Sequence, residues 1–300
     1  MQTKKNKVSL VMAFYNDEKL LKKNLPKIME VVSTNKDIIL ETIVVDDGST
    51  DDGAKYVKDN YPQIKIIKHK FNRGVAFAFN TGVRMAKGDL ILMVSTDMLP
   101  DKNILSYLLP HFNDENVFAV SFHESGLGPE KATWRDGLLQ FKQRKEPDEI
   151  NNTFYVRKGE GIFRRRIWME LGGMDDKLFL PFYWEDLDLS YRAAKKGYKV
   201  LWEPRALVKH EHWGSIGKWP KPYVEKMEQI HMLFFIWKNI HSESMVKRHV
   251  AGVLMRLLKD PGYFIILARA FAKIGIALRA RKKEKREGKV SDEAIFSRFA

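Results

Sequence analysis

The chain has 300 residues, 44% of them hydrophobic and 12% aromatic, enough for one large packed domain or a domain with a substantial appendage. It contains no cysteine, which excludes a disulfide framework and any thiolate-bound zinc or iron–sulfur centre. Its formal charge of +14 points to anionic partners: nucleic acid, an anionic membrane face or phosphate-bearing ligands.

A basic start, Met1 to Lys7, leads into an apolar run too short for a signal peptide and without a small-residue cleavage site, so residues 8–13 read as a buried strand. Leu20, Leu21, Leu25, Ile28, Val31 and Val32 then recur at helical spacing over 18–32. A strand at 38–45 precedes a helix at 52–60, capped by Asp51 or a neighbour, and a third strand at 64–68. Residues 74–86 read as a helix and 90–94 as a strand ending in Ser95-Thr96-Asp97. Residues 103–112 are helical and 117–122 strand-like. This alternation predicts an α/β fold with a mostly parallel sheet covered on both faces.

From 123 to 152 the pattern breaks into Gly, Pro and charge, the composition of a surface excursion of the kind that covers substrates. Order returns at 153–163, followed by a short helix at 166–171, the Gly172-Gly173 turn, and a helix opening on Tyr183-Trp184-Glu185-Asp186-Leu187-Asp188. Short strands at 198–202 and 206–208 lead to His210-Glu211-His212-Trp213. After Pro222 three helices follow, at 223–240, 245–259 and 263–281. The last carries Phe264, Ile265, Leu267 and Phe271 with Arg269 and Lys273 one turn apart, and runs into a basic cluster at 279–286. Two readings stand side by side there: an in-plane helix on an anionic membrane, or an appendage packed on the sheet with a solvated tail. No run approaches about 18 uninterrupted apolar residues, so a spanning helix is not expected.

Acid gathers where strands end. Asp46-Asp47-Gly48-Ser49-Thr50-Asp51 follows one apolar strand, Ser95-Thr96-Asp97 another, and three carboxylates open the helix at Glu185. In one α/β sheet this suggests a shared site at the carboxyl ends of the strands. Each acid also has a plainer reading, as turn former or helix cap.

The run Val8 to Asn16, the Val44 to Asp51 turn, Asn72-Arg73-Gly74 with Asn80-Thr81-Gly82, Ser95-Thr96-Asp97 and Trp184 to Leu189 occur in an order that resembles the family 2 glycosyltransferases, most of all their rhamnosyltransferase-like branch. The resemblance covers about residues 7–215. It implies a GT-A fold, a Rossmann-like sheet, over residues 1–222, with a nucleotide half at about 1–100, an acceptor half at about 101–222 and a helical, basic extension at 223–300. It also implies inverting transfer of a hexose or deoxyhexose from a nucleotide diphosphate sugar to an acceptor hydroxyl, in cell-surface polysaccharide or glycolipid synthesis on the cytoplasmic face of a membrane.

On that resemblance Tyr15 and Asp47 take the base, which must carry a ring N–H, as uracil, thymine and guanine do. Arg73 and Ser95 meet the nucleotide, and Arg73 neutralises diphosphate. Asp97 and His210 reach a divalent cation, Mg or Mn, with Ser215 completing an H-x4-S pattern and His212 as the rival histidine. Ser95 stands where the first carboxylate of Asp-x-Asp would be, so fewer anionic ligands remain, and Ala13 replaces the usual proline. Asp186 is the base by motif position. Trp184, Glu185, Asp188 and Arg164 are candidate contacts for a glycan or lipid-linked acceptor, against the plainer roles of core packing, helix start or solvated arginine.

Other classes fit less well. The charge concentrates in the tail with no recognition-helix motif, against a nucleic-acid binder. The glycine-rich, basic N-terminal loop of sugar-nucleotide-forming enzymes is missing. Phe14-Tyr15-Asn16-Asp17-Glu18 excludes a Gly-x-Gly-x-x-Gly dinucleotide site. An inactive nucleotide-binding module on the same fold remains the alternative.

Overall fold

The computed structural model of the chain describes residues 6–143, 146–147, 149–211 and 219–299. Its first half alternates strictly: β1 (Val8–Phe14), α1 (Glu18–Thr34), β2 (Ile39–Asp46), α2 (Gly53–Asn60), β3 (Lys65–Lys68), α3 (Val75–Met85) and β4 (Leu90–Val94). β1 pairs in parallel with β2 and β4, and β2 with β3. Successive side chains of a strand face opposite ways. Accordingly Leu10, Met12 and Phe14 pack with Leu21, Leu25 and Ile28 of α1, while Val11 packs with Phe79 and Val83 of α3. Each such fully buried leucine contributes about 2 kcal/mol.

The second half changes direction. β5 (Met98–Pro100), α4 (Ile104–Leu108) with the 3-10 turn Leu109–Asn113, and β6 (Val117–Glu124) are followed by β7 (Glu130–Arg135), β8 (Leu138–Gln143) and β9 (Asn151–Asn152). Then come β10 (Glu160–Arg164), α5 (Arg165–Leu171), α6 (Glu185–Lys195) and β11 (Lys199–His210). The nine-stranded sheet has the order β3-β2-β1-β4-β10-β6-β11-β5, with β9 also on β11. β10 lies antiparallel between β4 and β6, and its first residue, Glu160, pairs with Val94, the last of β4. β11 runs parallel to β6 and ends at His210, opposite Met98. The ends of β4, β6 and β11 and the start of β10 therefore share one edge of the sheet.

Two local differences from the sequence expectation have simple causes. The polar stretch 123–152 contains the hairpin β7–β8, whose Ala132 and Leu139 reach a second core rather than the main sheet. The two short strands expected near 200 are one, β11, because the pairing with β6 merely shifts register between Trp202 and Leu207. Asp51 lends its carboxylate to the starts of two helices, accepting from the Glu18 amide of α1 (2.9 Å) and the Gly53 amide of α2 (3.2 Å).

The C-terminal helices are α7 (Lys221–Asn239), α8 (Glu243–Lys259), α9 (Tyr263–Phe271), α10 (Ile274–Glu287) and α11 (Asp292–Phe296). The expected helix at 263–281 is thus broken at Ala272-Lys273, and α11 is an addition. Leu233, Phe234 and Phe235 of α7 share a core with Leu178, Leu187, Tyr191 and the β7–β8 hairpin. Two buried carboxylates tie this layer down. Asp188 accepts from Arg192 Nε (2.8 Å), Lys238 Nζ (2.9 Å) and Asn239 Nδ2 (2.8 Å). Asp292 accepts from Tyr191 Oη (2.6 Å), Lys195 Nζ (2.7 Å) and the Ser242 amide (2.7 Å).

Removing one partner from a buried charge cluster leaves the others unpaired, which costs about 3–5 kcal/mol. Asp188→Ala is therefore expected to lose that much unfolding free energy in a urea titration, and a loss under about 1 kcal/mol would contradict the cluster's role. A second test uses His249 of α8, whose Nδ1–H donates to the Gly137 carbonyl (2.8 Å) while Nε2 accepts from Trp237 Nε1–H (3.1 Å). That pattern requires neutral imidazole, and burial lowers its pKa below the ordinary 6.5, partly opposed by the Gly137 carbonyl. The unfolded chain then takes the proton first as pH falls. This stability is fully present above 6.5 and is lost as pH drops toward the folded value. The urea midpoint is expected to fall between about pH 7.5 and about pH 5.5, and to fall less in His249→Asn.

Candidate active site

The site is assembled around the segment 157–160, which leads into β10. The Lys158 amide donates to Asp186 Oδ2 (3.1 Å), and Lys158 Nζ pairs with Glu185 Oε1 (2.5 Å). Asp186 Oδ1 accepts from the Leu187 amide (2.8 Å), so both oxygens of this carboxylate are oriented by backbone at the start of α6. Gly159 has φ +76°, and its carbonyl receives the Ser95 amide (3.1 Å). A Cβ on Gly159 would lie 1.9 Å from Ser95 Oγ, so only glycine lets the two strand ends approach this closely. Arg157 pairs with Glu130 and lies 3.6 Å from Glu160 Oε2.

At the strand edge three carboxylates converge on His210. Its Nε2 lies 3.2 Å from Asp97 Oδ2, and its Nδ1 lies 3.4 Å from Glu124 Oε2 and 3.7 Å from Glu160 Oε1. Burial alone would lower the His210 pKa, but the bond to Asp97 and the charges of Glu160, Asp97 and Glu124 override it and raise the pKa to about 9. Burial pushes Glu160 up to about 7, opposed by Arg157 and His210 and reinforced by Glu124 and Asp186. Carboxylate oxygens gathered around one imidazole are the chemistry a hard divalent cation satisfies. Among the described residues no three such side chains are already arranged around a common point as metal ligands. Beside the cluster lies a small recess lined by Glu124, Glu130, Tyr155, Arg157, Glu160 and Trp202, among others.

On the other side of β4 stands the Asp46 to Asp51 turn. Gly48, at φ +79°, has no room for a Cβ, which would lie 2.5 Å from the Phe71 carbonyl carbon. This presses the turn onto the chain at 71–74. Asp47 then accepts from the Arg73 amide (3.1 Å to each oxygen), the Gly74 amide (2.8 Å) and faces His69 Nδ1 (2.7 Å). Burial raises its pKa, opposed by these donors. Tyr15 is half-buried at the end of β1, next to Asn16, whose amide donates to Ser49 Oγ (3.0 Å). Arg73 is exposed and its guanidinium lies 3.4 Å from the Phe77 ring centroid. Tyr15, Asp47, Arg73, Ser95, Asp97, Asp186 and His210 therefore all follow or adjoin the carboxyl ends of β1, β2, β4 and β11.

Three acceptor candidates are buried. Asp188 is 0% exposed and Glu185 1%, both spent on internal partners, because the first turn of α6 buries its inward acids against Lys238 and Lys158. Arg164 is buried too, donating to the carbonyls of Val117 (3.0 Å), Phe112 (2.9 Å) and Asp114 (2.9 Å). It is not a solvated arginine. Trp184 is half-buried, its ring against Phe141 (5.6 Å) and Phe235 (5.5 Å). His212 and Ser215 lie outside the described residues. Glu124, Arg157, Lys158, Glu160 and His69 are additions. For Arg157, Lys158 and Glu160 the signal in the sequence is Arg157-Lys158-Gly159-Glu160-Gly161, charges and glycines just before a strand.

Comparison with known proteins bears on the family and the fold. The model of glycosyl transferase family 2 matches residues 9–172. The pre-mycofactocin glycosyltransferase of Mycobacterium tuberculosis is 31% identical over 190 residues, 60% of this chain and 39% of that protein. The poly-beta-1,6-N-acetyl-D-glucosamine synthase of Staphylococcus aureus is 23% identical over 215 residues, 67% of this chain and 48% of that protein. The chain thus spans less than half the length of these curated relatives. Among solved structures, the mannosyltransferase PcManGT from Pyrobaculum calidifontis, in complex with GDP-Man and Mn2+, superposes with a TM-score of 0.58 at 16% identity, covering 95% of this chain and 86% of its own. The architecture is the GT-A fold, a mostly parallel sheet with C-terminal helices. On the family match and the fold together, the chain belongs to glycosyl transferase family 2.

Proposed function

We propose that the protein is an inverting glycosyltransferase that moves a sugar from a nucleotide diphosphate sugar to an acceptor hydroxyl. The observation that carries this reading is Asp186, held by the Leu187 amide and by the amide of Lys158, two residues before Glu160, which with Asp97 meets His210. Asp186 takes the proton of the acceptor hydroxyl while that oxygen forms its bond to the anomeric carbon from the face opposite the diphosphate. The bond from anomeric carbon to diphosphate oxygen breaks in the same displacement, and its electron pair stays on the leaving group. Asp97 and His210 would hold a divalent cation, Mg or Mn, which would neutralise charge on the leaving diphosphate.

On the donor side Tyr15 packs on the base. Asp47, whose two oxygens share one amide hydrogen of Arg73, accepts the ring N–H of uracil, thymine or guanine. Ser95 and the exposed Arg73 face the phosphates. PcManGT in complex with GDP-Man and Mn2+ supports a nucleotide sugar as donor on this fold. S. aureus TarS in complex with UDP-GlcNAc supports it as well, with a TM-score of 0.59 at 15% identity over 94% of this chain and 84% of its own. The nucleotide and acceptor halves meet at 157–160, and the segment 223–300 serves as a helical extension. The product is a cell-surface polysaccharide or glycolipid, assembled on the cytoplasmic face of the membrane.

Two experiments test the reading. Asp186→Asn is expected to reduce turnover by about a thousandfold or more while leaving donor-induced thermal stabilisation intact. Unchanged turnover would leave an inactive nucleotide-binding module as the better account. Separately, a panel of nucleoside diphosphates and nucleotide sugars is expected to raise the melting midpoint selectively, more so with manganese or magnesium, and Asp97→Asn is expected to remove the metal-dependent part. No shift with any nucleotide would overturn the donor site.

A further inference from the structure

Nine of the eighteen large hydrophobic side chains exposed among the described residues fall between Val250 and Leu278. On α8 they form a stripe, Val250, Leu254 and Leu258, spaced four apart and therefore along one face. The opposite face carries Met245 and His249, buried against the β7–β8 hairpin. On α9 Tyr263, Ile266 and Ala270 face inward, while Phe264 and Ile265 stand 65% and 53% exposed. Leu258 and Phe264, 79% and 65% exposed, flank the short turn at 260–262 that joins the two helices. The inner faces already complete the second core, so the outer apolar ridge has no folding role.

Charge identifies what covers it. From Lys247 to Lys283 the chain carries ten lysines and arginines and a single acid, Asp260. Lys247, Lys259, Arg269, Arg279 and Lys282 are exposed. A second copy docked on this ridge would set cations against cations. A nucleic acid would leave the aliphatic stripe of α8 without a partner. A surface that is both anionic and apolar just beneath satisfies both features. Among the described residues no helix is long and apolar enough to cross a membrane.

We propose that the ridge of α8 and α9 docks in the plane of an anionic lipid bilayer, its aliphatic and phenylalanine side chains between the headgroups and its cations on the lipid phosphates. The docking surface is separate from the sugar-transfer site and does not depend on that reading. The test is co-sedimentation of the full chain with vesicles of phosphatidylcholine alone or mixed with phosphatidylglycerol. Binding is expected to the mixed vesicles, to weaken with salt, and to drop about tenfold or more in Leu258→Glu/Phe264→Glu. Lys259→Glu/Arg269→Glu, on α8 and α9, is expected to lose binding to the mixed vesicles by a similar factor. All four positions are exposed, and unchanged melting temperatures and nucleotide-induced shifts in these variants would separate a docking defect from a damaged fold or donor site. Failure to bind the mixed vesicles, or equal binding by Leu258→Glu/Phe264→Glu, would overturn the proposal. So would a concentration-dependent dimer in light scattering that the same variant abolishes.

Discussion

The close approach of Gly159 to Ser95 is the constraint on which the candidate site depends. β10 must run against the direction of β4, beginning where β4 ends. The chain can enter at that point only with a left-handed residue that has no side chain, because Ser95 Oγ fills the space a Cβ would need. Once Gly159 is seated, its neighbours have little freedom. Lys158 presents its amide to Asp186 and its ammonium to Glu185, while Glu160 faces His210 and Arg157 reaches both Glu160 and Glu130. One backbone conformation thus fixes groups from α6, β6, β10 and β11 relative to the end of β4.

The acids of this molecule divide into two populations that sequence alone does not separate. Asp46, Asp51, Asp188 and Asp292 are matched by internal donors that tie turns and helices together: the Ser49 amide (2.7 Å) for Asp46, two helix starts for Asp51, and cations for the last two. The population at the sheet edge is different, because Asp97, Glu124 and Glu160 converge on one imidazole, with Arg157 reaching Glu160 as well. Carboxylates held close together raise one another's affinity for a proton or a cation. The shift of Glu160 to about 7 reflects this competition, along with its burial.

The nucleotide half was legible because its signals are local. Apolar runs of strand length alternate with helical spacing from residue 8 to 94, and the structure places the elements within a residue or two. The acid-rich turns were legible for the same reason, since each follows directly from a strand. What the sequence did not display depends on contacts distant along the chain. Nothing near Asp188 announces that Lys238 and Asn239 will close over it, and nothing near Arg164 announces the carbonyls of residues 112–117. The hairpin β7–β8 was hidden because its apolar residues are few and answer to a core made by helices a hundred residues later. The break between α9 and α10 was hidden because apolar residues keep helical spacing across it, from Phe271 to Ile274 and Leu278.

The C-terminal helices consequently belong to the site's scaffold. Tyr183 and Trp184 hold φ of 69° and 76°, a conformation that costs bulky residues about 1–3 kcal/mol each. They are kept there by α7. The ring nitrogens of His231 face the carbonyl oxygens of Phe182 (2.9 Å) and Leu180 (3.1 Å), and Phe235 packs on Trp184 (5.5 Å). One turn further into α6, Lys238 and Asn239 of the same helix grip Asp188. The strained pair immediately before Glu185 and the buried acid just after Asp186 are thus both clamped by α7, and Asp186 lies between two fixed points. The composition change after Pro222 marks a change of layer in the fold, while the position of the candidate base depends on both layers together.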